Sequence, residues 1–195
     1  MARAGVSVEG LVRAAAELAD EVGFEQVTVS ALARRFEVTV ASLYSHIKNA
    51  EDLRTRVAAL ALTELADQAS DALAGRAGYD ALTAFAAAYR DYAKQHPGRY
   101  TAARLRISAD SVAAKPALRH TELNRALLRD YKLPEQEQTH AIRLLGSTLH
   151  GFASLEAAGS FAHSGDVDAS WNRVLDALHV ALTNWPRASP RDEKS

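Results

Sequence analysis

Thr28-Val-Ser-Ala-Leu-Ala-Arg-Arg-Phe-Glu-Val-Thr-Val-Ala-Ser-Leu-Tyr-Ser-His-Ile-Lys-Asn-Ala-Glu-Asp-Leu53 is the stretch on which the reading of the whole chain turns. Thr28 and Thr39 each stand just before an apolar-patterned run, where a side-chain oxygen can accept an orphan backbone N–H and start a helix. The first helix carries Ala31, Leu32, Ala33 and Phe36, and the second is expected from Val40 to about His46. Leu43 and Ile47, one helical turn apart, make the anchoring face of the second helix. Thr39, Val40, Ala41, Ser42 and Ser45 are small and fall on the other side. Two short helices joined by a tight turn, one anchored and one presenting small polar groups outward, form a helix-turn-helix.

Working outward, the same periodicity continues in both directions. Val8, Leu11, Val12, Ala15, Leu18, Ala19 and Val22 recur at three- and four-residue steps, with Ser7 placed to cap that helix and Gly23 to end it. Downstream, Glu51 opens a long helix through Leu53, Val57, Leu60, Ala61, Leu65 and Leu73, closed by Gly75 and Gly78. An aromatic-rich helix follows over Tyr79–Gln95, stopped at His96-Pro97-Gly98. Shorter helices are expected over Arg99–Arg106 and Pro116–Tyr131. Pro134 suits the first turn of a long helix reaching about Gly159, with Glu135 and Glu137 at the positive end of its dipole. Asp166 can cap a last helix ending near Trp185-Pro186. The run Phe24–Val29 is too short and isolated to make a sheet. The expectation is therefore an all-α chain of nine helices. It divides into a three-helix unit over 1–50, a helical body over 51–186 and a polar, disordered tail over 187–195.

Composition agrees. Of 195 residues, 48% are apolar, enough for a packed core without staples, and the absence of cysteine excludes disulfides and thiolate metal sites. No stretch reaches the roughly 20 apolar residues that span a bilayer, and no signal core opens the chain, so a soluble cytoplasmic protein without membrane association is expected. Net charge is −1, and residues 1–60 hold seven Lys/Arg against eight Asp/Glu. Attraction to nucleic acid must then come from charges arranged on one face, because total charge supplies none.

The outward face has the chemistry for a DNA major groove. Thr39 and Ser42 can hydrogen-bond base edges, Val40 and Ala41 can touch thymine methyls, and Tyr44, His46 and Lys48 can reach phosphates. Together with Gly23-Phe24 and the leading helix, the quoted stretch resembles the signature of the TetR family of regulators. The segment Leu43-Tyr-Ser-His-Ile-Lys-Asn49 carries most of the likeness. The resemblance implies that Thr28 and Ser30 start the supporting helix near phosphates. It places Val40, Ala41 and Ser42 against bases and Tyr44, His46 and Lys48 on the sugar-phosphate backbone. Three positions depart from the family pattern. Glu37 stands where a turn glycine is usual, Ser30 where relatives are often basic, and Ala50 where many carry a phosphate-binding lysine.

Leu144-Leu-Gly-Ser-Thr-Leu-His-Gly-Phe-Ala-Ser-Leu-Glu-Ala-Ala-Gly-Ser-Phe161 and His96-Pro-Gly-Arg-Tyr100 resemble the C-terminal domain of a Trp/Leu-His-Gly-type subset of these regulators. The resemblance implies a homodimer that binds palindromic operator DNA, most simply as a repressor, and releases it when a small, mainly apolar effector binds. Gly146, Ser147, Gly151 and Ser154 make one helix smooth enough for close approach. With Trp171, Val174, Leu178 and Leu182 they are the expected dimer surface. Phe85, Tyr89, Tyr92, Tyr100, Arg104, His120, Leu123, Leu127 and His150 lie on helices expected to enclose the effector. No zinc-protease pairing, nucleophile elbow, P-loop or dinucleotide fingerprint occurs, so no enzyme, metal or cofactor is expected. A DNA-binding scaffold answering to a protein partner fits the same residues.

Overall fold

The computed structural model describes residues 7–163 and 165–186, so the expected tail over 187–195 lies outside the described residues. Among them are nine helices and no strand, the all-α class that the periodicity predicts. Side-chain caps set several of the starts. Ser7 Oγ accepts the N–H of Gly10 at 3.0 Å to begin α1 (Val8–Val22), which ends on Gly23 at φ 92°. After one 3-10 turn at Phe24–Gln26, Thr28 Oγ1 accepts the N–H of Ala31 at 3.1 Å and starts α2 (Val29–Arg35). Thr39 does the same for α3 (Val40–Leu43), and Asn49 Oδ1, accepting from Asp52 at 2.8 Å, for α4 (Ala50–Leu73). The body follows with α5 (Gly78–Gln95), α6 (Pro97–Ala102), α7 (Ala114–Leu128), α8 (Glu135–Ala157) and α9 (Val167–Thr183). Asp166 caps α9 through the N–H groups of Asp168 and Ala169.

Two helices differ from expectation for identifiable reasons. Regular helix in α3 stops at Leu43, and residues 44–46 continue only as turns, with Ile47 donating back to Leu43 O at 3.2 Å. α6 starts at Pro97 instead of Arg99, because a proline at the first helical position has no N–H to leave unpaired.

The first core joins α1, α2 and α3 to the N-terminal half of α4 through Leu11, Ala15, Phe24, Leu32, Leu43, Leu53 and Val57. It also takes in Ala102 of α6, so its packing runs past residue 50. A second core, with Leu82, Phe85, Leu145, Trp171, Leu178 and Leu182, holds the body together. Two polar joints cross the structure. Arg90 on α5, almost fully buried, donates to both oxygens of Glu156 on α8 at 2.8 and 2.6 Å and lies 2.7 Å from Asp168 on α9. Its guanidinium also stacks 5.1 Å from the Trp171 ring centre. The Arg90 hydrogen bonds, joined by Lys94, outweigh burial and hold the Glu156 carboxyl down at about 2. The second joint sets Asp20 of α1 against α6: it accepts the Arg99 N–H at 2.9 Å, faces Arg99 Nε at 3.0 Å and His96 Nδ1 at 3.2 Å.

Glu37 is left-handed at φ 53°, in the turn between α2 and α3. A side chain there costs about 1 kcal/mol relative to glycine. Glu37→Gly should therefore raise the urea midpoint by an amount worth about 0.5–1 kcal/mol. An unchanged or lowered midpoint would contradict the strain.

Candidate functional site

The reading surface is assembled from local bonds on a buried floor. Leu43 and Ile47 point into the first core at 0% and 3% exposure. Thr28, Ser30, Thr39, Val40, Ala41, Ser42, Tyr44 and Lys48 are all exposed, and His46 is half-buried. Ser42 Oγ donates to Thr39 O at 2.7 Å and Ser45 Oγ to Ser42 O at 2.6 Å, so the short helix is braced by its own hydroxyls. The α4 start is fixed by Asp52, which accepts the Lys48 N–H at 3.0 Å and the Arg56 Nε–H at 3.1 Å. Burial pushes the Asp52 carboxyl up, but these two donors outweigh it and hold the group below its ordinary value.

Ion pairs decide which positive charges remain for a nucleic acid. Arg35 binds Glu17 and Glu21 on α1, Arg54 binds Glu25 and covers the Phe24 ring at 4.2 Å, and Arg56 binds Asp52. Lys48 and Arg34 are exposed and enter no ion pair among the described residues. Arg34 was not among the expected contacts. Its signal in the sequence is its place one helical turn after Ser30, on the same face of α2.

The body contains a cavity of about 580 Å³. Phe85, Tyr89, Tyr100, Arg104, His120 and His150 line it, together with Leu62, Leu65, Asn124, Arg143, Leu145 and Leu149, which sequence reasoning did not name. His120 Nε2 donates to the Leu62 carbonyl at 2.8 Å, which leaves Nδ1 to accept from the Tyr89 hydroxyl at 2.6 Å. Burial, ahead of the charges of Arg119 and Arg104, pushes His120 below its ordinary value, consistent with a neutral ring. The Tyr100 hydroxyl lies 3.1 Å from His150 Nδ1.

Three expected cavity residues are elsewhere. Tyr92, fully buried, donates its hydroxyl to Glu64 of α4 at 2.9 Å. Leu123 and Leu127 pack into the second core, because His120 and Asn124 already occupy the cavity-facing stripe of α7. The residues expected at a dimer surface fall in different places within the single chain. Trp171, Leu178 and Leu182 are buried within this chain and Val174 packs against the same core, while Gly146 and Ser147 line the cavity. Gly151 remains half-buried and Ser154 exposed. On α8 and α9 the large apolar side chains left exposed are Leu144, Leu155 and Val180, the last 59% exposed; outside the reading surface, Val22, Tyr79, Val112 and Leu118 are exposed as well.

Residues 11–57 match the model of bacterial regulatory proteins of the tetR family, and residues 82–178 that of the tetracyclin repressor-like C-terminal domain. The HTH-type transcriptional regulator YobS of Bacillus subtilis is 34% identical over 85% of this chain and 86% of its own. The chain belongs to the TetR family. It is a DNA-binding transcriptional regulator, in a family of regulators and not of enzymes. Solved structures share this fold over nearly the whole length of the chain. A TetR variant from Acinetobacter baumannii AYE, in complex with minocycline, matches at 22% identity and TM-score 0.69 over 94% of this chain and all of the other. BioQ with its double-stranded DNA operator matches at 22% and 0.62, over 90% and 99%. No helix among the described residues is long and apolar enough to cross a membrane.

Proposed function

We propose that this TetR-family regulator is a homodimeric repressor that holds a palindromic operator and lets go when a small molecule fills the cavity of its body. The observation that carries the DNA half is the outward turn at Thr39–Ser42, seated on buried Leu43 and Ile47 and flanked by exposed Tyr44, Lys48 and Arg34. Val40, Ala41 and Ser42 read bases. Thr28, Ser30, Thr39, Tyr44, His46, Lys48 and Arg34 fix the backbone. BioQ is known bound to its operator in the same fold, and the minocycline complex shows that fold holding a small molecule.

A twofold dimer matches half-sites about 34 Å apart. The surface proposed for it is Leu144, Gly151 and Leu155 on α8 with Val180 on α9, because Leu144, Leu155 and Val180 are the large apolar groups that these two helices leave in water. α4 reaches from the reading head, at Leu53 and Val57, to the cavity, at Leu62 and Leu65, so a ligand that displaces it changes the spacing of the two heads. Switching occupancy from 1:99 to 99:1 takes a ligand that discriminates between the two states by about 5.5 kcal/mol.

Selection of bound sequences from a random DNA pool tests the reading, and a palindrome is expected. On that operator, Tyr44→Ala should weaken all sequences alike by ~10-fold per protomer, whereas Ser42→Ala should change the preferred base. If both correctly folded variants bind like the parent, the reading surface is misplaced.

A further inference from the structure

Sixteen residues line the cavity; two are arginines, Arg104 and Arg143, and none is Asp or Glu. In a chain with 24 carboxylates and 23 lysines and arginines, that is a strong local imbalance. Several arginines of the body are matched by carboxylates, Arg90 with Glu156 and Asp168, Arg99 with Asp20 and Glu64, Arg119 with Asp67, whereas Arg76, Arg106, Arg125 and Arg129 are not among the described residues, and none of these four lines the cavity. Arg104 and Arg143 enter no ion pair among the described residues, and both remain solvent-exposed while lining the cavity, so they stand at its open side. The charge of Arg104 bears on four cavity groups. Burial dominates each of them, raising Tyr89 and Tyr100 and lowering His120 and His150, and the guanidinium adds to the lowering of both rings. No side chain of the cavity carries a compensating negative charge.

We infer that the cavity selects an organic anion with an apolar body, its carboxylate, sulfonate or phosphate resting on Arg104 and Arg143. This deepens, and rests on, the reading of the cavity as the effector site. The guanidinium forks suit a planar or tetrahedral oxyanion. The remainder of the ligand lies against Leu62, Leu65, Phe85, Leu145 and Leu149, where an alkyl or aromatic body loses water. Asn124, whose amide nitrogen donates to the His120 carbonyl at 2.7 Å, keeps its side-chain oxygen for a donor on the ligand. A cation would meet two like charges at the entrance, and a purely apolar molecule would leave both arginines unused.

Two dyes of nearly the same shape separate these cases: anilinonaphthalene sulfonate and its uncharged counterpart N-phenylnaphthylamine. Fluorescence titration of the full chain should give the sulfonate the tighter affinity by ~10-fold or more. Arg104→Gln and Arg143→Gln should each cost the sulfonate a similar factor and leave the neutral dye unchanged. Both positions are exposed, so the variants should melt like the parent. Gly146→Phe locates the binding, because a Cβ at this cavity-lining glycine meets nothing within 4 Å and the ring would take up part of the space; both dyes should bind that variant more weakly. Equal affinities that ignore both glutamine substitutions would overturn the anion preference while leaving the cavity as an effector site. Binding of neither dye, or binding of both that Gly146→Phe leaves undiminished, would remove the effector-site reading and the anion preference with it.

Discussion

Arg90→Ala is expected to lower the unfolding free energy by about 3–5 kcal/mol, the range for removing one partner of a buried, hydrogen-bonded pair. The penalty comes less from losing an attraction than from stranding Glu156, whose oxygens accept two short bonds from Arg90 in a nearly closed site. Lys94, 3.0 Å from Glu156, can take over only part of the role because it is half in water. The stack of the guanidinium on Phe152 and Trp171 is lost as well. Because α5, α8 and α9 all meet at this residue, the damage should spread to the surfaces of α8 and α9 proposed for the dimer.

The pH dependence follows with a definite sign. The folded Glu156 carboxyl is held at about 2, below its ordinary 4.5, so the pair contributes fully above about pH 4.5. That contribution is lost progressively as pH falls from about 4.5 toward 2. Urea melts of the parent should weaken over that interval, and the weakening should be much smaller in Arg90→Met, which keeps volume without charge. Parallel acid profiles for parent and variant would show that Glu156 is not held down by Arg90.

The reading head was legible because its determinants are local. Ser7, Thr28, Thr39 and Asp166 cap helices through bonds to residues at most three positions away, which the order of side chains reveals. Leu43 and Ile47 mark the buried side by spacing alone. The strain at Glu37 was readable once a glycine was expected there, and the backbone does adopt the left-handed region.

The body was less legible because an apolar stripe does not say what covers it. Trp171, Leu178 and Leu182 have the same periodicity whether they face a neighbouring helix or a second chain. Here they fill this chain's own core, and the large apolar groups that α8 and α9 leave exposed are Leu144, Leu155 and Val180. Tyr92 follows Phe85 and Tyr89 on one face of α5, yet its hydroxyl is captured by Glu64, a partner 28 positions away that no local pattern discloses. The pairing of Arg35, Arg54 and Arg56, which narrows the cations free for DNA, depends on tertiary approach in two cases out of three.

Gly98→Ala should be the most damaging methyl added at any described glycine, with an expected loss of about 3 kcal/mol. A Cβ built there would fall 1.9 Å from the Ala19 carbonyl oxygen and 2.6 Å from the Asp20 nitrogen, both backbone atoms of α1 that cannot rotate aside. α1 and α6 must then separate, and with them goes the joint in which Asp20 accepts from Arg99 and meets His96. The consequence reaches function because α6 is short. Its first turn is seated on the reading head, and its Tyr100, two residues on, lines the cavity. A variant that still folds should therefore show weakened operator binding although no DNA-facing residue has changed. Two measurements check this: a thermal melt, and operator titration at a temperature where both proteins are folded. A melt and an affinity both equal to the parent's would mean that α1 and α6 are not in the close contact on which any signal between cavity and reading head through α6 depends.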